Sequence, residues 1–509
     1  MTVPESNKLL TTVAITPTAT STKVHSFVRQ SPVTLASFQA SQEESGRGEH
    51  NGRVSVQPTS FEGGLLVGLY DPHLGPQCAE YLQQHLVPIL DESLSTQLDH
   101  SDDDHSHAHS PHQNNPDYRI DPNQVIDTLK STFRELDELL VATAITVALT
   151  QPDVTDLASA DELRKTQEVL AQVVTGSTAL VGFLAPHHPA SPATTTTTTT
   201  TKDEAVVKHD LYLAQLGDSV AILAGLDATG TWSARRLNPP ETEEHSVRYK
   251  GSDEYRKVVV EAKERALTAE QFLTMGNGSL PSSQQGWQHQ QQQEEEQGYE
   301  SFLTRGGKFL GLPVTRSFGF LDWKIEQEPR TSVATWVEKG LRARIEQTLH
   351  SGLEGTIASQ EESGICNLDD PPYIVTDPKI ARFVIETSSK GPSSLAVGGR
   401  AVREGAGSKS DEVIVLLNRG FLYAPRSSDI TTNNNNDNNE TQNPYDQPLI
   451  SDFELSRIVA QALEREENAA QALAKALDQS RKERVATLGA QQQVVDYFEG
   501  EGSILVIAL

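Results

Sequence analysis

The stretch GLYDPHLG (Gly68–Gly75) places an aspartate and a histidine two residues apart, directly after the apolar run EGGLLV (62–67). A short apolar run bounded by glycines is typical of a buried strand, and the residues that follow have helical periodicity. Asp71 and His73 are therefore expected at the end of a strand, where they could bind a metal ion or transfer a proton. Pro72 lies between them, and its ring restricts φ and removes the backbone N–H.

Helical and strand-like patterns alternate along the rest of the chain. The predicted helices cover residues 76–92, 123–141 and two stretches between 455 and 477, and the predicted strands cover 175–184, 210–226, 411–424 and 503–509. The Gly-Asp pair inside 210–226 predicts that this segment folds back on itself as a β-hairpin. Strands followed by helices and again by strands indicate a layered α+β domain.

The composition disfavours several classes of partner and compartment. The chain has 509 residues and a formal net charge of -28, which disfavours binding to nucleic acid and to anionic membrane surfaces. The two cysteines, Cys78 and Cys366, cannot form a disulfide framework and favour a reducing compartment. No apolar run approaches the roughly 18 residues that cross a bilayer, so no membrane span is expected.

Four low-complexity tracts predict surface inserts within a single domain at residues 33–509. They lie near residues 97–117, 190–204, 276–300 and 425–449. The first is rich in histidine and aspartate, a composition that can also chelate divalent ions. Residues 1–32 predict a disordered or targeting segment. Their single acid is Glu5, and an acid-poor, hydroxyl-rich start permits a mitochondrial transit peptide, the alternative location being cytoplasmic.

Taken in chain order, these segments resemble the metal-dependent protein phosphatase family (PPM, type 2C). The DPH triplet is similar to the DGH that ends a strand in that family, and GSTA at residues 176–179 matches the family letter for letter. Similarity continues through GDSV at 217–220, VTRSFGF at 314–320, LLNRGFL at 416–422 and GEGSILVIAL at 500–509. Within the family, FLGLPVTRSFGFLDWK (309–324) and PPYIVTDPKIARFVI (371–385) are most similar to pyruvate dehydrogenase phosphatases.

This resemblance implies a four-layer αββα sandwich, in which two mostly antiparallel β-sheets are flanked by helices. It also implies hydrolysis of phosphoserine and phosphothreonine with two Mn²⁺ or Mg²⁺ ions, which require several oxygen ligands. By matching positions, Asp71 is the bridging carboxylate, Pro72 offers a backbone carbonyl and His73 is the general acid. Arg53 is the candidate phosphate-binding arginine, and Glu501 is a candidate late metal ligand.

Three matching positions lack the acid that the family uses. Arg419 and Phe320 each fall on a metal-binding aspartate, and Gly500 falls on the first residue of a terminal acidic pair, where Glu501 or Glu499 could serve instead. An arginine in place of a ligand repels a divalent ion.

Three hypotheses follow from these departures. The first is a pseudophosphatase that needs no cofactor and acts by binding a phosphoprotein or another protein partner. The second is an active Mn²⁺- or Mg²⁺-dependent phosphatase of the pyruvate dehydrogenase phosphatase type, with a rebuilt site. The third is a scaffold or metal-binding protein whose function lies in the inserts.

Overall fold

A computed structural model gives the structure of the chain. It describes residues 10–15, 21–28, 34–41, 52–60, 64–99, 121–150, 160–187, 206–226, 232–238, 312, 314–325, 327–339, 341–342, 372, 374–388, 412–417, 448–465, 467–488 and 503–508. The strands are β1 (Leu10–Ile15), β2 (Ser21–Val28), β3 (Thr34–Ser41), β4 (Arg53–Pro58), β5 (Leu65–His73), β6 (Gly176–Pro186), β7 (Val206–Leu216), β8 (Val220–Leu226), β9 (Trp232–Arg236), β10 (Phe318–Gly319), β11 (Lys379–Ser388), β12 (Glu412–Leu417) and β13 (Ser503–Ala508). The helices are α1 (Gln77–Asp99), α2 (Pro122–Thr150), α3 (Ala160–Val174), α4 (Gln327–Ala334), α5 (Asp452–Glu464) and α6 (Ala469–Leu488).

Within the described residues, these strands form two sheets. One sheet of seven strands has the order β1-β2-β3-β13-β12-β8-β9, and the second has the order β11-β7-β6-β5-β4 with β10 added to β6. Every pairing between these strands is antiparallel. The terminal strand β13 lies inside the seven-stranded sheet, between β3 and β12.

Alternation of side chains along the strands produces four layers. On one face of the second sheet, Tyr70 and Val181 pack against α1 and α2, while Leu69 and Leu180 on the other face pack against the seven-stranded sheet. On the far side of the seven-stranded sheet, residues such as Val415 pack against α5 and α6. The predicted α+β fold, a four-layer αββα sandwich of two antiparallel sheets, is confirmed.

The helices predicted at residues 76–92 and 123–141 are present as α1 and α2, and both are longer than predicted. In α2 the buried stripe continues through Ala144 and Ala148. Alanine is a strong helix former and a small apolar residue, so the helix goes on packing against the core as far as Ala148 and ends at Thr150.

The predicted β-hairpin at residues 210–226 is wrong. β7 and β8 are consecutive in the chain but belong to different sheets, so the turn between them carries the chain across the sandwich. Gly217 in this turn has a φ of 97°, and a Cβ there would lie 2.3 Å from Thr178. The Gln215 side-chain amide donates hydrogen bonds to the carbonyl oxygens of Gly217 and Ser219. The Gly-Asp pair thus indicated a turn, but it did not indicate which sheet the second strand joins.

The predicted domain boundaries and inserts stay predictions. The segment 1–32, for which the sequence predicts disorder or a targeting role, contains β1 and β2, which extend the seven-stranded sheet beyond β3. Most of each predicted insert, and Cys366, lie outside the described residues. None of the helices described above combines the length and the apolar character needed to cross a bilayer.

Candidate functional site

The candidate site lies at the carboxyl end of β5, where the DPH triplet runs beside the GSTA strand. In the ladder between β5 and β6, Asp71, Pro72 and His73 are opposite Thr178, Ser177 and Gly176, respectively. Pro72 is buried, and Asp71 and His73 are half-buried. Two motifs that are about 100 residues apart in the sequence are therefore direct neighbours in one sheet.

Pro72 is tolerated because of its place in the sheet. β4 pairs with β5 only as far as Tyr70, so among the described strands the chain at Pro72 has a paired neighbour on one side, β6. A residue without an N–H is least costly where a strand is paired on one side only. The proline therefore leaves the strand continuous through His73.

Arg53 is placed beside the same strand end by β4. It is opposite Tyr70, the residue before Asp71. Its Nη2 donates a hydrogen bond to Glu80 Oε1 at 2.6 Å, and its side chain is 17% exposed. A phosphoryl group arriving here would compete with Glu80 for the guanidinium, since both are anionic acceptors that arginine binds well.

Phe320 reaches this end of the sheet from the VTRSFGF turn. β10 (Phe318–Gly319) pairs with Gly176 and Ser177 of β6, at a point before the ladder between β6 and β7 begins. Phe320 follows β10 directly, and its ring stacks on the imidazole of His73 with ring centroids 6.1 Å apart and planes 19° from parallel. The structure thus brings together Asp71, His73 and Phe320, as the resemblance implies for positions of one site.

The ring of Phe320 is fully buried and packs against apolar groups. The indole of Trp323 meets it edge-on with centroids 5.4 Å apart. Gly176 leaves room for it, since a Cβ there would lie 2.4 Å from the ring. The backbone of Phe320 is left-handed, with φ 56° and ψ 51°, a conformation that asparagine and aspartate adopt more readily than phenylalanine. The backbone therefore suits an acid, while the side chain present is an aromatic ring.

The contact between Gly176 and Phe320 predicts coupling between substitutions at the two positions. We expect Gly176→Ala to lower the free energy of unfolding by about 2 kcal/mol, because the ring must shift. We expect Phe320→Leu to lower it by about 1 kcal/mol. In the double variant the combined loss should fall short of the sum by about 1 kcal/mol, because the smaller side chain makes room for the added methyl group. Urea unfolding of the four proteins measures this coupling, and strictly additive losses would contradict it.

A buried ion pair holds the VTRSFGF turn in place. Lys324 Nζ donates to Asp137 Oδ2 at 2.5 Å, and the two side chains are 8% and 9% exposed. The same ammonium donates to Ser317 O at 2.8 Å and to Thr376 Oγ1 at 2.7 Å. The N–H of Gly319 donates to Asp137 Oδ1 at 2.9 Å. We did not predict this pair from the sequence, although a carboxylate on the apolar face of a predicted helix is a signal for a buried partner.

Arg316 connects the same turn to the segment before β11. Its Nη1 donates to Asp377 O at 2.9 Å and to Asp377 Oδ2 at 3.2 Å, and Arg134 of α2 donates to Asp377 Oδ1 at 2.6 Å. Burial acts to raise the pKa of Asp377, but the hydrogen bond and charge of Arg134, with the charges of Arg316 and Lys379, outweigh it and lower that pKa. Arg316 therefore acts as an architectural ion-pair partner.

Cys78 is buried close to the turn, at the start of α1. Its N–H donates to Thr175 Oγ1 at 3.1 Å. Burial, with the nearby charge of Asp137, raises the pKa of the thiol well above its usual range. A thiol of this kind stays protonated and unreactive, so Cys78 is a core residue.

The described residues at this strand end include few of the oxygen ligands that a dinuclear metal centre requires. Mn²⁺ and Mg²⁺ require several oxygen ligands, and paired ions require shared carboxylates. Asp71 offers one carboxylate, whereas Phe320 offers a ring. Within the described part of the chain, no group of three or more His, Cys, Asp or Glu side chains is placed to hold an ion. The remaining implied positions, Arg419, Glu499, Gly500 and Glu501, lie outside the described residues.

Comparison with known proteins gives one distant curated relative. No family model matches the chain. The mitochondrial [pyruvate dehydrogenase [acetyl-transferring]]-phosphatase 1 of Saccharomyces cerevisiae is 25% identical over 202 residues, which cover 38% of this chain and 28% of the relative. The match therefore spans less than a third of the relative's length.

Solved structures align with most of the chain at low identity. A serine-threonine phosphatase 2C from Toxoplasma gondii has a TM-score of 0.33 and 13% identity, with 98% of each chain covered. A second T. gondii phosphatase has a TM-score of 0.38 and 11% identity, covering 94% of this chain and 92% of its own. A C. elegans sex determining protein has a TM-score of 0.39 and 13% identity, covering 94% of this chain and 65% of its own. Two findings support a family resemblance: the DPH, GSTA and VTRSFGF motifs meet in one sheet, and the yeast relative is similar in sequence. The chain therefore resembles the metal-dependent protein phosphatases of the PPM (type 2C) family.

Proposed function

We propose that the chain is a phosphatase-like protein that binds a phosphoprotein or another protein partner and does not hydrolyse phosphoesters with a dinuclear metal centre. The observation that carries the proposal is the buried ring of Phe320 stacked on His73. A carboxylate at position 320 would add a metal ligand beside the strand end. The ring instead excludes water and offers no lone pair, and the resemblance puts a second loss at Arg419.

The groups retained at this strand end suit recognition of a phosphoryl group. Arg53 is opposite Tyr70, the residue before Asp71, and arginine binds phosphate with paired, charge-assisted hydrogen bonds. The yeast relative is named for pyruvate dehydrogenase and for mitochondria, and its similarity supports a partner of that kind and a mitochondrial location for this chain. The inserts remain the basis of the third hypothesis, a scaffold or metal-binding role.

Metal binding and hydrolysis test this proposal together. We expect calorimetric titration with Mn²⁺ to show at most millimolar affinity, and p-nitrophenyl phosphate to remain intact with Mn²⁺ or Mg²⁺, because the acid positions hold Phe320 and Arg419. The double variant Phe320→Asp/Arg419→Asp is expected to gain Mn²⁺ binding by about tenfold or more, since two carboxylates replace a ring and a cation. The left-handed backbone at position 320 accepts an aspartate.

The alternative is an active phosphatase that uses Asp71 with Glu501 and Glu499. It predicts turnover that depends on the metal and is abolished by Asp71→Asn. The matched control is Asp478→Asn, which removes an exposed carboxylate from α6. Loss of turnover in Asp71→Asn, with normal turnover in Asp478→Asn, would overturn our proposal in favour of the active enzyme.

A further inference from the structure

The carboxyl-terminal half of α2 carries an uncharged, exposed face. Leu139 is 57% exposed and Leu149 is 64% exposed, and Ala142 and Thr146 between them are also exposed. These four residues, which we term the α2 face, follow the 3-4-3 spacing of a helix–helix contact. No charged residue occurs from 139 to 150, in a chain that is 22% charged, so this face differs from an ordinary solvated helix surface.

Two threonines of this half-helix, Thr146 and Thr150, have their hydroxyl groups turned onto the helix itself. Thr146 Oγ1 donates to Ala142 O at 2.7 Å, and Thr150 Oγ1 donates to Thr146 O at 2.7 Å. Their hydroxyl donors are therefore satisfied without water. Covering the α2 face costs little, because the hydroxyl donor of Thr146 keeps its hydrogen bond to the helix on desolvation.

The opposite side of α2 is held by the core. Leu140, Ala144 and Ala148 are buried, and Asp137 is bonded to Lys324 and to the Gly319 N–H. The α2 face is therefore presented on a rigid helix, which reduces the entropy lost when a partner binds.

The charges at the amino-terminal end of the α2 face select its partner. Glu135 and Glu138 are exposed there, while Arg134 is bonded to Asp377. A second copy of the chain would bring the same acids and a net charge of -28, which disfavours self-association. An anionic lipid surface is disfavoured for the same reason.

We propose that the α2 face docks an amphipathic helix of a protein partner. Such a helix would place leucine-type side chains at 3-4 spacing against Leu139 and Leu149, and lysine or arginine opposite Glu135 and Glu138. This surface is on the other side of α2 from Asp137, so the proposal does not depend on the chemistry at Asp71 and His73.

Two synthetic helical peptides test this proposal on the full chain. Both carry leucine at the a and d positions, one with lysine and one with glutamate at e and g. In fluorescence anisotropy, we expect the lysine peptide to bind, and the glutamate peptide to bind about tenfold more weakly or worse. The double variant Leu139→Glu/Leu149→Glu should lower the affinity for the lysine peptide by about tenfold or more, because both apolar anchors are lost.

The matched control is Val384→Glu/Phe453→Glu, which adds the same charge at two other exposed apolar positions. It should bind the lysine peptide as the parent does. General attraction to a basic peptide would increase in both variants, so a loss confined to the α2 variant cannot arise from charge alone. Leu139→Gln/Leu149→Gln repeats the test without added charge, and unchanged circular dichroism confirms that each variant is folded.

Three results would overturn the proposal. One is the absence of peptide binding, or equal binding by the parent and the α2 variants. Another is a dimer in analytical ultracentrifugation that the α2 variants dissociate, which would make a second copy the occupant. The third is binding to phosphatidylcholine–phosphatidylglycerol vesicles that the same variants lose, which would make a lipid surface the occupant.

Discussion

Replacing Lys324 with methionine is expected to lower the free energy of unfolding by about 3–5 kcal/mol, because it leaves a buried carboxylate without its cation. Lys324 Nζ lies 2.5 Å from Asp137 Oδ2, and both side chains are at most 9% exposed. The carboxylate would keep the Gly319 N–H and the Thr376 hydroxyl as donors, but neither carries a charge. Urea unfolding, followed by the fluorescence of the tryptophans, measures the loss.

Two further variants separate this effect from a general loss of charge. In Asp137→Asn/Lys324→Met the buried charge is removed as well, so we expect a smaller loss than in Lys324→Met alone. Lys482→Met breaks the ion pair with Asp478, whose side chains are 70% and 53% exposed, and should change stability by less than about 1 kcal/mol. If Lys324→Met lowered the free energy of unfolding by less than about 1 kcal/mol, the ion pair would contribute little to the stability of the turn.

Gly319→Ala is expected to destabilise the chain by about 3 kcal/mol or more, through strain and a backbone clash together. Gly319 has a φ of 69°, and a Cβ there would lie 2.1 Å from the carbonyl oxygen of Thr175. That oxygen accepts the Phe320 N–H at 3.1 Å, so it cannot move without breaking a hydrogen bond. The N–H of Gly319 itself donates to Asp137, so the ion pair would be disturbed as well.

The matched control for Gly319→Ala is Gly182→Ala in β6. Gly182 lies inside a strand, and its added Cβ would meet a side-chain methyl of Val67 at 3.0 Å rather than a backbone atom. Because a methyl group can shift by a few tenths of an ångström, we expect a loss of only about 1 kcal/mol. Thermal and urea unfolding of both variants give the comparison, and equal losses would contradict the role assigned to the Gly319 backbone.

The fold class could be predicted because burial imposes a periodic spacing of apolar residues on each segment. The alternation that put Tyr70 and Leu69 on opposite faces of β5 is a local property, and so is the helical spacing of α1 and α2. The family resemblance carried by the DPH, GSTA and VTRSFGF motifs then implied the four-layer arrangement. The hairpin at 210–226 was wrong because a turn signal describes four residues, whereas sheet membership depends on strands far away in the chain.

The candidate site was predicted as a set of positions but not as a set of contacts. Asp71, His73 and Phe320 were identified by matching motifs, and they do lie at one end of the second sheet. The stacking of Phe320 on His73 and the buried pair of Asp137 and Lys324 could not be predicted, since each joins residues more than 180 positions apart.

The sequence alone determined the layered α+β architecture, the acidic character of the chain and the places where acids are missing from a phosphatase-like pattern. These depend on residue type and spacing, which burial and charge impose segment by segment. The tertiary structure decided that the strand after the Gly-Asp turn joins the other sheet, and that a ring fills the space beside His73 where an acid is expected. It also decided that α2 turns an uncharged face outward. Such features depend on contacts between residues that are distant in the sequence, and no local sequence pattern indicates those contacts.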